Sequence, residues 1–244
     1  MIHLHTSKII ADAYRPADPI DLDAAALAFA IDYETREFTR STTLHDAMAL
    51  AAFAHLPQTR PGRHGTGTDP YITHPFRNVL RLVRFGCTDE IVLAATALHD
   101  TVEDQADRIV AALGDCEPSR GVALAAIAQH FGSEVADVVN AVTNPASPRD
   151  LSPTAKNAAY RDHVAAVIQE PRVFLVKLSD FIDNAGSLDV LADEAKRLEL
   201  RTKYAPLVPV FAETRTRLGN DLALSAPGSI RLDRELDQLA ESLA

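Results

Sequence analysis

Apolar residues recur at three- and four-residue spacing in one segment of this chain after another, whereas runs of alternating β-branched residues are hard to find. That pattern predicts helices almost throughout. Ala and Leu fill the regular segments and Trp is absent, which suits helices more than sheet. One strand-like run, "RVFLVKL" at 172–178, continues into "SDFIDNAGSL" and fits the start of a buried helix at least as well. With 244 residues there is enough chain for one sizeable core, so the expectation is an all-α, single-domain fold.

Pro16 and Pro19 break the N-terminal region before "DLDAAALAFAIDYETREF", which can form one helix, and residues 1–40 read as a helical extension. The main domain is expected over 41–217 and a helical tail, packed on it, over 218–244. Inside the domain, "STTLHDAMALAAFAHL" starts a helix with Ser or Thr as cap, and "RPGRHGTGTDP" at 60–70 is a Gly-rich loop. "HPFRNVLRLVRFG" follows, with Pro75 suited to the first helical position, Gly86 to the C-terminal cap and His74 at the helix mouth. One helix is expected through "DEIVLAATALHDTVED" and helical periodicity through "VALAAIAQHFGSEVADVVNAVT". Further helices are expected over 154–169, 172–185 and 190–217.

The 24 basic and 34 acidic residues leave a net charge of −10, which argues against a nucleic-acid binder and demands local cations for any polyanionic substrate. Cys87 and Cys116 form no CxxC pair, so neither a disulfide framework nor a zinc-thiolate site is expected. No long apolar run or leader pattern stands out, and the expected setting is cytoplasmic, with no membrane role.

In "ATALHDTVEDQ", a continuous helix would place His99, Asp100, Glu103 and Asp104 in one sector of about 140° beside the apolar stripe. A second His-Asp pair, His45 and Asp46 in "TTLHDAMAL", is an internal control. It lies in the first turn of a helix, where an acid complements the helix dipole. What sets the first pair apart is "PYITHP" upstream and "VKLSDFIDN" downstream. His74, His99, Asp100 and Asp180 together offer two imidazoles and two carboxylates, an N/O set suited to Mn²⁺, Fe²⁺ or a similar divalent ion. Glu103 is then placed to accept a proton from an attacking water, and Asp104 to orient water or a ligand. Lys156, Lys177, Arg201 and Arg63 are candidate cations for a polyphosphate, though Lys177 can equally snorkel along a helix and Lys156 and Arg201 can be solvated surface charges.

These segments resemble the HD-type metal phosphohydrolases, and within them the hydrolase domain of the RelA/SpoT-homologue family. The matched stretches are "GTDPYITHPFRNVLRL", "TDEIVLAATALHDTVEDQ", "IAQHFGSEVADVVNAVT", "FLVKLSDFIDN" and "RTKYAPLV". The resemblance implies a helical enzyme that removes the 3′-pyrophosphate of (p)ppGpp with Mn²⁺ as cofactor. It implies His74, His99, Asp100 and Asp180 as metal ligands, Glu103 and Asp104 as the pair that handles water, Asn184 near the ribose and Arg63 against the base. The chain ends soon after the last matched stretch, so a stand-alone small hydrolase is expected, with a homo-oligomer left open.

Some positions depart from the family pattern. His64 follows Arg63 where a basic residue is usual, Phe181 replaces a basic residue after Asp180, and "AG" follows Asn184. Two rivals therefore stand beside (p)ppGpp hydrolysis: a phosphohydrolase acting on (p)ppApp or another nucleotide, and an inactive alarmone sensor. Retention of Glu103 speaks against the sensor.

Overall fold

The computed structural model describes residues 8–10, 13, 17–62, 67–114, 117–145 and 150–244. In chain order its main elements are α1 (Ala24–Thr35), α2 (Thr43–Ala54), a hairpin of β1 (Thr59–Pro61) and β2 (Thr68–Pro70), α3 (Thr73–Arg84), α4 (Glu90–Leu98), α5 (Thr101–Asp104) and α6 (Ala106–Leu113). Then come α7 (Arg120–Phe131), α8 (Ser133–Val142), α9 (Pro153–Val167), α10 (Pro171–Ala185), α11 (Glu194–Tyr204), α12 (Leu207–Leu218) and α13 (Ala226–Leu243). The fold is helical, as the spacing predicts, with one small antiparallel pair in register Thr59–Pro70, Arg60–Asp69 and Pro61–Thr68.

Local chemistry sets the helix starts. Asp23, Asp89, Ser119, Ser152, Glu170, Asp193 and Ser225 each accept a hydrogen bond from a backbone N–H in the first turn of the helix that follows. α3 begins two residues earlier than its proline implies. Pro75 is its third residue, where the missing N–H would have had no partner within the helix. The helix ends as expected at Gly86: the N–H of Gly86 bonds to Val83 O and that of Cys87 to Leu82 O, with Gly86 at φ +84°.

Three expected helices are divided. The stretch from Asp89 to Asp104 breaks at His99–Asp100, where the Thr101 hydroxyl takes the Leu98 carbonyl at 2.7 Å. Gly132, at φ +91°, separates α7 from α8. Residues 190–217 split at Pro206, which ends α11 and opens α12, after a short 3₁₀ turn at Leu188–Val190. The Gly-rich stretch at 60–70 holds the hairpin rather than a plain loop.

The core is built around α10, which packs against α3, α4, α8, α9, α11 and α13 and is buried at every residue from Val173 to Asp183. A helix buried all round should be apolar all round. Lys177, Ser179, Asp180 and Asp183 are the exceptions, and each has a polar partner. At the chain's two ends, Leu27 and Ile31 of α1 and Leu232, Leu236 and Leu239 of α13 join the same apolar cluster. α13 starts in close contact with the end of α3: Ser225 N–H bonds to Phe85 O at 3.3 Å, and a Cβ on Gly228 would fall 1.6 Å from that oxygen.

Candidate metal centre

Three helices bring four side chains to one point. His74 comes from the first turn of α3, His99 and Asp100 from the break between α4 and α5, and Asp180 from the middle of α10. One ligand atom from each lies within 4.8 Å of all the others. His74 Nε2 is 3.1 Å from Asp180 Oδ1 and 3.5 Å from Asp100 Oδ2, while His99 Nε2 is 3.1 Å from Asp100 Oδ2 and 3.5 Å from Asp180 Oδ1.

Both Nε2 atoms are buried and in hydrogen-bond alignment with nothing, although carboxylate oxygens stand close by. Donor atoms aimed at a common centre produce that geometry, and the residues fit a divalent cation. The other nitrogens are committed: His99 Nδ1 to Thr96 O at 2.9 Å, and His74 Nδ1 to Asp183 Oδ2 at 2.7 Å. Anchoring Nδ1 fixes the ring and leaves Nε2 for the cation.

Asp183 was not singled out in the sequence, yet it carries the centre's outer support. It is 1% exposed and accepts Nε and Nη2 of Arg77 at 2.7 and 2.8 Å, with Arg60 at 3.3 Å and Arg81 at 3.5 Å. Burial pushes its carboxyl up, but Arg77 and then His74 outweigh that and hold it well below the usual range. The signal was available, because Asp183 lies three residues after Asp180 and Arg77 three after His74, one turn along each helix. Tyr71, within "PYITHP", is a second supporting residue that spacing alone does not mark: its hydroxyl donates to Asp100 Oδ2 at 2.7 Å. Burial, and then the Asp100 charge, raises that phenol, so it remains a donor.

Burial, together with Arg60 on His74, disfavours charged imidazoles, but the surrounding carboxylates outweigh it and raise both His74 and His99 above the ordinary histidine range. Asp180 is driven down against its own burial by His74 and His99.

Beyond the cluster, the helix break sends the two expected water-handling acids to different sides. Glu103 Oε2 accepts the backbone and side-chain N–H of Asn144 at 2.9 and 3.0 Å; Asp104 Oδ2 faces Gln58 Nε2 at 3.3 Å. One continuous polar sector therefore does not describe them. Burial and the nearby Asp100 charge raise the Asp104 carboxyl. Asn184 donates to Asp180 Oδ1 at 2.6 Å.

Glu103 and Asn144 border a cavity of about 480 Å³ shared with Lys156, Tyr160 and Lys203. Lys177 is buried, with Nζ 3.4 Å from Asn144 Oδ1, a polar contact in place of simple snorkelling. Arg201 is elsewhere: its Nε bonds to Leu243 O at 3.2 Å and it lines a different cavity, between α11 and α13. The cation from α11 that faces the Glu103 cavity is Lys203, two residues on, with Nζ 4.2 Å from the Tyr160 ring centre. Arg63 and His64 lie outside the described residues. Phe181 stacks on Phe211 at 4.8 Å, so the family's basic position has become part of the core.

The control pair falls outside the cluster. Asp46 accepts the Thr42 hydroxyl at 2.6 Å on an exposed first turn, and His45 is exposed.

A family model described as an HD domain matches residues 47–220. The chain belongs to the HD-domain family. Among curated relatives of this HD-domain chain, a guanosine-3′,5′-bis(diphosphate) 3′-pyrophosphohydrolase of Aquifex aeolicus is 34% identical over 57% of the chain and 18% of the relative. A probable enzyme of the same name from Synechocystis is 30% identical over 73% of the chain and 21% of the relative. The HD-domain chain thus spans about a fifth of the length of these relatives. A solved structure, of a metazoan ortholog of SpoT described as hydrolyzing ppGpp, superposes with a TM-score of 0.58 at 24% identity, covering 82% of this chain and 97% of that one. That likeness supports the helical HD fold. No described helix is long and apolar enough to cross a membrane.

Proposed function

We propose that this HD-domain chain is a phosphohydrolase that removes the 3′-pyrophosphate of (p)ppGpp, giving GDP or GTP and pyrophosphate, with Mn²⁺ as its metal. The observation that carries the reading is the convergence of His74, His99, Asp100 and Asp180 within 4.8 Å; Glu103, four residues after His99, borders a cavity that also holds Lys156 and Lys203. The names of the curated relatives point the same way. A two-imidazole, two-carboxylate set without thiolate suits Mn²⁺, Fe²⁺ or a similar divalent ion, and the family resemblance favours Mn²⁺ among them.

When bound, the cation supplies Lewis acidity, making a water a nucleophile at neutral pH. The chain's own groups do the rest. Glu103, immobilised by Asn144, is the proton acceptor, and Asp104, on the other side of α5, orients water or ligand. Lys156 and Lys203 in the cavity, with Lys177 behind Asn144, balance phosphate charge that a protein of net charge −10 would otherwise repel. Asn184 positions Asp180 and borders the sugar site, and Arg63 is proposed to contact the base. In this reading residues 41–217 form the catalytic unit, 1–40 an extension and 218–244 a tail; the setting is cytoplasmic.

The test is to incubate metal-stripped protein with ppGpp, ppApp and GTP, with and without Mn²⁺, and resolve products by anion-exchange chromatography. The expected result is Mn²⁺-dependent pyrophosphate release from ppGpp, with GTP untouched. Release from ppApp alone would transfer the activity to the adenine nucleotide, and no release under any condition would overturn the enzyme reading.

A further inference from the structure

The cavity between α11, α13 and the end of α10 has a volume of about 420 Å³, within the range that takes a small ligand. Five arginines line it: Arg81, Arg197, Arg201, Arg231 and Arg234. Three carboxylates face them, and two of those are engaged: Glu235 is 3.3 Å from Arg81 Nε, and Asp18 caps Ile20 N–H at 3.0 Å. Arg81 is committed as well, to Asn78, Ser179 O and Asp183. Among the described residues the other four arginines have no carboxylate at ion-pair distance, and the buried Nε of Arg197 has no hydrogen-bond partner.

Arg197, Arg201, Arg231 and Arg234 thus gather around one concavity in a chain of net charge −10, and an anion seated there would offset their mutual repulsion. Guanidinium forks match tetrahedral phosphate oxygens bidentately. The residues that form the cavity differ from those that border the Glu103 cavity. We infer that this cavity is a second anion site, which takes a phosphate-class ligand such as diphosphate or the phosphate groups of a small phosphorylated molecule. It does not depend on the activity proposed above.

The test is isothermal titration of the metal-stripped full chain, in EDTA, with inorganic pyrophosphate, inorganic phosphate and citrate; chelation removes the metal centre as a competing site. Saturable pyrophosphate binding at one site is expected, weaker for phosphate and absent for citrate. Arg197→Ala/Arg231→Ala/Arg234→Ala should weaken it at least tenfold, as should the single exposed change Arg234→Glu. Arg36→Ala/Arg161→Ala/Arg217→Ala removes equal charge elsewhere and should leave binding within twofold. No pyrophosphate binding by the unmodified chain, equal weakening in both triple variants, or full binding by the cavity variants would overturn the inference. Citrate binding as tight as pyrophosphate would overturn its phosphate class.

Discussion

Asp183 joins the metal centre to the core, since one buried carboxylate takes His74 Nδ1 and both donors of the buried Arg77. Asp183→Asn would leave the Arg77 charge uncompensated, and denaturant unfolding is expected to show a loss of about 3–5 kcal/mol. Because the same oxygen fixes the His74 ring, Mn²⁺ affinity measured by titration should fall about 10–100-fold. The convergence of His74, His99, Asp100 and Asp180 was legible in the sequence because an ordered set of two imidazoles and two carboxylates is distinctive. Asp183 was hidden because an Asp one turn after Asp180 looks like any other acid until its arginines are seen in space. Proton affinity at the ligands gives a second prediction. With His74 and His99 raised above the usual imidazole range, a cation must displace their protons. Apparent Mn²⁺ affinity should therefore rise from about pH 6 to about pH 8, and binding should release protons, measurable by titration in buffers of different ionisation enthalpy.

Among the elements, the break between α4 and α5 shapes the site most. In a continuous helix Asp100 and Glu103 would fall between His99 and Asp104 in one sector, whereas here Asp100 reaches the cluster and Glu103 reaches Asn144. Periodicity showed the helix but not the break, because no Gly or Pro marks it and the hydroxyl that stabilises it, Thr101, is unremarkable in sequence. The α11–α12 split follows from Pro206, and the α3 stop from Gly86, both ordinary local signals. The docking of α13 rests on a contact that no local signal encodes. Gly228 lies against Phe85 O, so Gly228→Ala must push the helix outward. We expect a loss of about 2 kcal/mol, seen as a Tm lower by about 4–8 °C and faster proteolysis near residue 225. Gly132→Ala, with open space around its Cβ position, should cost only the strain of its positive φ, about 1 kcal/mol.

Across the whole molecule, a chain of net charge −10 nonetheless gathers cations locally: Lys156 and Lys203 around the Glu103 cavity, Lys177 at Asn144, and the arginines between α11 and α13. Composition argues against a general nucleic-acid binder but does not show this local gathering of cations, which depends on α9, α10 and α11 meeting in space. Arg201, expected from spacing, lines the cavity between α11 and α13, whereas Lys203 lines the Glu103 cavity. Two residues on a helix point about 200° apart, and approximate spacing from a motif cannot tell which one faces the site. The two His-Asp pairs give the most direct test of the central claim. Asp100→Ala and Asp46→Ala should be compared for Mn²⁺-dependent pyrophosphate release from ppGpp at matched protein concentration. Asp100→Ala is predicted to abolish turnover and Asp46→Ala to retain it within about twofold, as an exposed first-turn acid would; equal effects, or turnover surviving in Asp100→Ala, would contradict the assignment of the metal centre.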